Sequence, residues 1–405
     1  MDFIDGGVCA AIGFRAAGLH VGVKTHNKDK KDLALIVADC DCTVGAVYTK
    51  NVVKAAPLHV TKSNLENGRA RVVFANSGNA NACAPNGEKH AHQMCKSIAN
   101  ELGLNESDVI VASTGVIGQE LPINTITSGV SELVKNLSYD GSQDAATAIM
   151  TTDLAMKELA VEFVLGGETV RIGGIAKGSG MIHPNMGTML AFLTTDCAIS
   201  SEMLQKALVN VTNISFNRVS VDGDTSTNDM VCLMANGLAC NDKITEPNED
   251  YDAFAEALSA LCIPLAISIA SDGEGATHLI SCRVYNAKTE DEAETMSKSV
   301  ISSSLTKTAI FGADANWGRV LCAMGYSGVN FDTNKVDIAF ESTAGRVEVC
   351  KNGRGLSFDE QLAKKILTER EIIIDINMND GTAECICWGC DMTYDYVKIN
   401  GDYRS

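Results

Sequence analysis

Apolar positions along this chain follow two periods that alternate with each other. Ala70 to Phe74 is a short, mostly apolar run that predicts a buried strand, and the polar stretch Asn76-Ser-Gly-Asn-Ala-Asn81 behind it predicts a turn. Glu88 to Leu102 then sets Ala91, Met94, Cys95, Ile98, Ala99 and Leu102 at helical spacing. Asp108 to Ala112 predicts a second strand, ending in the turn Ser113-Thr-Gly-Val-Ile-Gly118, and a helical stripe returns at Ile126, Val130, Leu133, Val134 and Leu137. Glu158 to Ile172 predicts a hairpin around Gly166-Gly167. Met189 to Thr194 fits a buried strand by its length and flanks.

The second half repeats the alternation. Ser200 or Ser201 is placed to cap a helix carrying Met203, Leu204, Ala207, Leu208 and Val211. The acidic start at Thr289-Glu-Asp-Glu suits the positive end of a helix dipole. The tail predicts strands at Val336 to Phe340, Val347 to Cys350, Ile372 to Ile376 and Ala383 to Trp388. Without a repeat or a low-complexity linker, the pattern predicts one α/β body with two lobes.

Composition narrows the functional classes. Charged residues make up 21% and hydrophobic residues 45% of the 405, a globular balance. Aromatics are only 5% against 35 glycines, so the core must come from Val, Ile, Leu, Ala and Met. With 51 acidic and 33 basic residues the net charge of −18 argues against nucleic acid as a partner. No run comes near the roughly 18 uninterrupted apolar residues of a membrane span, and Met1 to Gly7 has neither the basic nor the apolar region of a signal peptide. Fifteen cysteines, mostly single in apolar strings, read as small buried hydrophobes and fit a reducing, cytoplasmic setting. The cluster Cys385-Ile-Cys387-Trp-Gly-Cys390 lacks a second ligand pair at zinc-like spacing, so no metal is expected there.

Several short stretches carry possible chemistry. In Lys177-Gly-Ser-Gly-Met-Ile-His-Pro-Asn-Met-Gly-Thr188-Met-Leu-Ala-Phe192 a glycine-rich loop meets an apolar strand at a threonine. If the Gly187–Thr188 bond breaks, Thr188 holds a free amine beside its hydroxyl, a nucleophile with its own base. A threonine also simply suits the start of a strand. Ser113-Thr114-Gly115 could form an oxyanion hole or be an ordinary turn. Asn76 to Cys83 could bind a ligand, though asparagine and glycine more often serve left-handed turns. Ser271-Asp-Gly-Glu274-Gly-Ala-Thr277 is either a carboxylate site for an ammonium or a metal ion, or a solvated acidic turn. Gly312-Ala-Asp314-Ala-Asn316-Trp-Gly-Arg319 is either a structural hydrogen-bond network or a site wall, and Asn400 to Ser405 is a free tail of the kind that frays.

Taken in order, these motifs resemble the bifunctional glutamate N-acetyltransferase / ornithine acetyltransferase family of arginine biosynthesis. The resemblance runs from Gly13-Phe-Arg-Ala-Ala-Gly18 through Asn76–Asn81, Ser113–Gly118, Met150-Thr-Thr-Asp153, the Lys177–Phe192 block, Val221-Asp-Gly-Asp-Thr225, Ser271–Thr277 and Trp388-Gly-Cys-Asp391 to the Asn400–Ser405 tail. It implies a layered α-β-β-α sandwich of the self-processing, N-terminal-nucleophile-like type, shared by DmpA and ornithine acetyltransferases. It implies self-cleavage between Gly187 and Thr188, giving an α chain of residues 1–187 and a β chain of residues 188–405 that stay together as α2β2. Thr188 is then the nucleophile, Thr114 and Gly115 the oxyanion pair, and Thr151 or Thr152, Lys177, Thr188, Glu274, Asn400 and Ser405 the substrate contacts. The substrates implied are N2-acetylornithine, glutamate and ornithine. No cofactor is implied, and acetyl-CoA is a second donor that the family admits. One departure stands at the junction, where Gly187 replaces the family's usual alanine; a floppier scissile bond predicts slower processing. Two other readings stay open on the residues: a self-processing aminopeptidase or amidase of the same fold, and an unprocessed, non-catalytic small-molecule-binding protein.

Overall fold

Most of the strands and helices that the two periods predict are formed, in two compact units. The computed structural model of the chain describes residues 1–24, 30–183 and 189–402. The first unit comprises Met1–Gly178, Pro184–Asn217 and Asp224–Leu265, and the second Ser179–His183, Arg218–Gly223 and Ala266–Ser405.

The first unit is built on a mixed sheet. Its strands run in the order Asp2–Ile4, Lys157–Leu165, Glu168–Lys177, Leu190–Thr195, Met230–Ala235, Leu33–Tyr48, Arg69–Asn79 and Val109–Val116, with Phe14–Leu19 paired to Leu33–Tyr48. The long strand Leu33–Tyr48 shows why its sequence is apolar at nearly every position. Ala34, Ile36 and Ala38 enter one core with Phe14 and Phe192, while Leu33, Leu35 and Val37 enter another with Phe74, Met94 and Ile98. Side chains alternate across a strand, so a strand buried on both faces must be apolar throughout. The predicted helix is Gly87–Leu102, its stripe turned into the second of these cores. The 126–137 stripe forms two short helices, Ile123–Ser128 and Val130–Lys135, because the chain breaks at Gly129. The hairpin is Lys157–Leu165 against Glu168–Lys177, turning at Gly166 and Gly167, both with positive φ.

The second unit holds the other mixed sheet, in the order Arg354–Gly355, Gly345–Lys351, Asp337–Ser342, Glu371–Asn377, Leu279–Ala287, Ala383–Cys390 and Val219–Ser220. The helices Glu290–Ser302, Trp317–Gly325 and Glu360–Leu367 close one core with it. Thr289 caps the first of them, accepting the Glu292 N–H at 3.2 Å. Cys385 and Cys387 lie buried in this core and Cys390 is buried at the strand's end, so the cysteine cluster packs as small hydrophobes.

Three features depart from the sequence expectations. The stretches read as turns at Asn76–Asn81 and Ser113–Gly118 are largely strand, since Arg69–Asn79 and Val109–Val116 continue into them as a parallel pair. Asn400 and Gly401, at the start of the tail, close a helix, Tyr394–Gly401, capped by Thr393, and residues 403–405 lie outside the described residues. The helix Glu249–Ser271 was not foreseen, and it is long and apolar enough to cross a membrane on length and composition alone. Its Phe254 ring nevertheless packs 6.5 Å from Phe163, and Leu261 and Leu265 are fully buried beside Gly174, as in a core helix.

Candidate active site

Strand register levels four chain segments in the first unit. Lys177 pairs with Leu190, Leu190 with Met230, and Met230 with Tyr48. The residues just beyond these ends are therefore neighbours: Met189, Asp229 and Thr49. The Met189 N–H donates to Asp229 Oδ1 at 2.9 Å, and the Met230 N–H donates back to the Met189 carbonyl at 3.2 Å. The Thr49 N–H donates to the Asp229 carbonyl at 3.1 Å. Met189 is thus held at both its N–H and its carbonyl by the consecutive residues Asp229 and Met230. Gly187 and Thr188 themselves lie outside the described residues, as does Ser405.

Asp229 has no exposed surface, and its Oδ2 has no hydrogen-bond partner among the described residues. Burial pushes its carboxyl well above the ordinary range, against the opposing pull of the Met189 N–H, the neighbouring Thr49 hydroxyl and the Lys177 cation. The Thr49 hydroxyl gives its own proton to the Ser226 carbonyl at 2.8 Å. Asn228, next in the chain, donates to the carbonyls of Ala80 and Ser113 at 2.6 and 2.8 Å. The dipeptide Asn228-Asp229 therefore ties Met189 to the strand that carries Thr114.

That strand has a feature only glycine permits. Ser77 pairs with Thr114 and Gly78 with Gly115, and the register then slips at Asn79. Gly115 has φ +128°, and a Cβ there would lie 2.4 Å from the Gly78 carbonyl carbon and 2.7 Å from the Asn79 nitrogen. The distortion is held by side chains. Ser113 Oγ donates to Asn76 Oδ1 at 2.6 Å, the Asn76 amide donates to the Asn79 carbonyl at 2.8 Å, and Asn79 Oδ1 accepts the Asn81 N–H at 2.8 Å. The asparagines thus build the support, and Thr114 sits buried beside Gly115.

Lys177 is buried, with Nζ 3.9 Å from Asp153 Oδ2. Asp153 also accepts Lys157 Nζ at 2.9 Å, the Thr151 N–H at 3.0 Å and the Gly178 N–H at 2.7 Å. Burial alone would raise its carboxyl, but the two lysines and the two N–H groups hold it far below the ordinary range. Asp153 so fixes both Thr151 and the start of the Gly178 loop. Thr152, beside Thr151, is half-buried. Lys24 is a further cation in this neighbourhood; burial lowers it to about 8, with Asp32 opposing and Lys30 and Lys177 adding to the shift.

In the second unit Glu274 is buried, so it is not a solvated turn residue. Its Oε2 accepts the Asn400 amide at 2.8 Å, and its N–H donates to the Ser179 carbonyl at 2.9 Å. Gly180 packs closely here, since a Cβ would lie 2.4 Å from the Glu274 carboxyl carbon and would push that side chain aside. Asp391 accepts the Thr277 and His278 N–H groups at 2.8 and 3.0 Å, which shapes the end of the Glu274 loop. The Gly312–Arg319 motif resolves as a structural network: Asn316 caps the helix Trp317–Gly325, and Arg319 donates to the Leu305 carbonyl at 2.8 Å.

Sequence reasoning named Thr114, Gly115, Lys177, Glu274 and Asn400 but missed Lys24, Asp32, Asp153 as an anchor, Asn228 and Asp229. The usable signal was the polar triplet Thr227-Asn228-Asp229 set directly before the apolar strand Met230–Ala235.

A family model described as the ArgJ family matches residues 15–405. The chain is 48% identical to a protein named arginine biosynthesis bifunctional protein ArgJ from Caldanaerobacter subterraneus subsp. tengcongensis, over the full length of both. It is also 48% identical, again over both full lengths, to the protein of that name from Symbiobacterium thermophilum. Among solved structures, an ornithine acetyltransferase from Mycobacterium tuberculosis complexed with ornithine is 38% identical, covering 45% of this chain and 97% of its own, with a TM-score of 0.42.

Proposed function

The chain belongs to the ArgJ family, and from that premise we infer that it is a glutamate N-acetyltransferase of arginine biosynthesis, moving acetyl from N2-acetylornithine to glutamate. The observation that carries this reading is the end-to-end match to relatives named arginine biosynthesis bifunctional protein ArgJ. In the reading, the Thr188 hydroxyl attacks the Gly187 carbonyl, the peptide shifts to an ester, and water releases the two chains, 1–187 and 188–405. The sheet supports their staying together. Glu168–Lys177 and Leu190–Thr195 lie on opposite sides of the cut and remain paired from Ile172–Thr195 to Lys177–Leu190.

The freed α-amine of Thr188 serves as base; an unperturbed α-amine titrates near about 7.7–8.0, close to working pH. Thr188 Oγ1 attacks the acetyl carbonyl, ornithine leaves with the proton, and glutamate then takes the acetyl group in a ping-pong cycle. Thr114 and the Gly115 N–H receive the oxyanion. Lys177 meets a substrate carboxylate and Glu274 an ammonium, with Thr151 or Thr152, Asn400 and Ser405 completing the contacts. The family admits acetyl-CoA as a second donor, the assembly in this reading is α2β2, and the setting is cytoplasmic.

The test is intact-mass analysis of wild type beside Thr188→Ala, joined to an assay of labelled acetyl from N2-acetylornithine. Two fragments and glutamate-dependent transfer are expected of the wild type, and one inactive chain of the variant. Release of free acetate at the same rate without glutamate would instead mark an amidase.

A further inference from the structure

The function proposed above gives a substrate carboxylate to Lys177, but a second cation of the first unit, Lys24, lies against the strand paired with Gly115. Asp32, fully buried, builds the bend that carries it. Its Oδ1 accepts the Val21 N–H at 2.7 Å, and its Oδ2 accepts the Gly22 and Lys24 N–H groups at 3.0 and 3.2 Å. The Asp32 carbonyl accepts the Ser77 N–H at 2.9 Å, which ties the bend to the strand Arg69–Asn79 one residue before Gly78. Gly78 has φ +102°, and a Cβ there would lie 3.0 Å from Lys24 Cγ. The stem of Lys24 thus rests on Gly78, the residue in register with Gly115. Lys24 Nζ donates to the Lys31 carbonyl at 2.6 Å, and an ammonium has further protons to give.

The charges around Lys24 are uneven. Lys157 and Lys177 share Asp153. Lys30 Nζ lies 3.5 Å from the carbonyl of Thr151, whose N–H donates to that same carboxylate. Lys31 is paired with Asp144. The cations that act on Lys24 are Lys30 and Lys177, and the anions are Asp32 and Asp153. Lysines 24, 30, 157 and 177 therefore gather around two buried carboxylates, in a chain whose net charge is −18. Burial lowers Lys24 to about 8, so it is still a cation at neutral pH. A local excess of positive charge concentrates anions.

The two amino-acid substrates differ in this respect. N2-acetylornithine carries a carboxylate and a side-chain ammonium. Glutamate must lose its amine proton before it can take the acetyl group, and it then carries two carboxylates and no cation. We propose, on the premise that the chain is this transferase, that Lys24 is a specificity-determining residue that binds the side-chain carboxylate of the glutamate acceptor. Lys177 then takes the α-carboxylate, which both substrates have, and Lys24 the carboxylate that glutamate alone has.

Lys24→Met keeps an unbranched apolar stem on Gly78 and removes the charge. The variant is expected to raise KM for glutamate about tenfold or more, with kcat and KM for N2-acetylornithine within about threefold, because the charge-assisted bond it loses is made only by the acceptor. Glutamine, neutral at its side chain, is the matched probe: the wild-type preference for glutamate in kcat/KM should shrink about tenfold in the variant. A KM for glutamate within about threefold of wild type overturns the proposal, and so does an equal rise for both substrates, the mark of a general disturbance. If the variant does not fold, an experimental structure of the wild type with glutamate decides. A side-chain carboxylate oxygen within about 3.2 Å of Lys24 Nζ supports the proposal, and one beyond hydrogen-bond reach overturns it. A wild type that passes no acetyl to glutamate removes the function and this inference together, whereas a transferring wild type beside an unaltered variant removes only the inference.

Discussion

Replacing Gly115 by alanine tests the oxyanion hole with a single methyl group. The added carbon would sit 2.4 Å from the Gly78 carbonyl carbon, a backbone atom that no rotamer change can move. Reaching the 3.4 Å of ordinary contact needs a displacement of 3.4 − 2.4 = 1.0 Å. The φ of +128° adds strain of about 1–3 kcal/mol for a residue with a side chain. The strands must part by a good fraction of that ångström at Gly115, the proposed oxyanion donor. Misplacing one oxyanion donor costs about 100- to 1,000-fold in kcat, or about 2.7–4 kcal/mol. Gly115→Ala is therefore expected to lose kcat in that range while KM for N2-acetylornithine moves less than about threefold, because the donor acts mainly in the transition state. The assay is steady-state transfer of acetyl from N2-acetylornithine to glutamate, with intact mass reporting cleavage. Self-cleavage passes through a similar oxyanion and should slow as well. A variant that folds, cuts itself at the wild-type rate and keeps kcat within threefold would refute the assignment of Gly115.

Lys177→Ala should raise KM for N2-acetylornithine at least tenfold if this buried cation meets the substrate carboxylate as proposed; a slight rise would count against that role. Asp153→Asn leaves Lys157 and Lys177 without their shared anion, and should destabilise the protein by about 3–5 kcal/mol at neutral pH in urea titrations. Because the folded carboxyl is held below its unfolded value near about 3.9, its contribution is complete above that value and is lost as pH falls further. Wild type and Asp153→Asn should therefore converge in stability below about pH 4, and a constant gap down to strong acid would refute the charge argument.

Much of the fold was legible because it is local. The stripe Ala91 to Leu102 is a helix whatever it packs on, and the Ser200 and Thr289 caps fall where short polar side chains precede apolar periods. The turns at Asn76–Asn81 and Ser113–Gly118 were misread because asparagine and glycine signal reversal locally, whereas here a neighbouring strand supplies the register that keeps them extended. Helix Glu249–Ser271 escaped because its apolar residues surround it, leaving little of the one-sided period that marks a helix.

The site divides in the same way. The family resemblance carried by motif order pointed to Thr188, Thr114, Gly115, Lys177, Glu274 and Asn400, residues that lie in short stretches recognisable one by one. Only the tertiary structure brought Asp153 to Lys177, Asn228 to Ser113 and Asp229 to Met189. Those partners are separated by 24, 115 and 40 positions. A carboxylate in a sequence carries no sign of whether it will be solvated, paired or sealed away, because that depends on which strand ends the sheet register sets side by side.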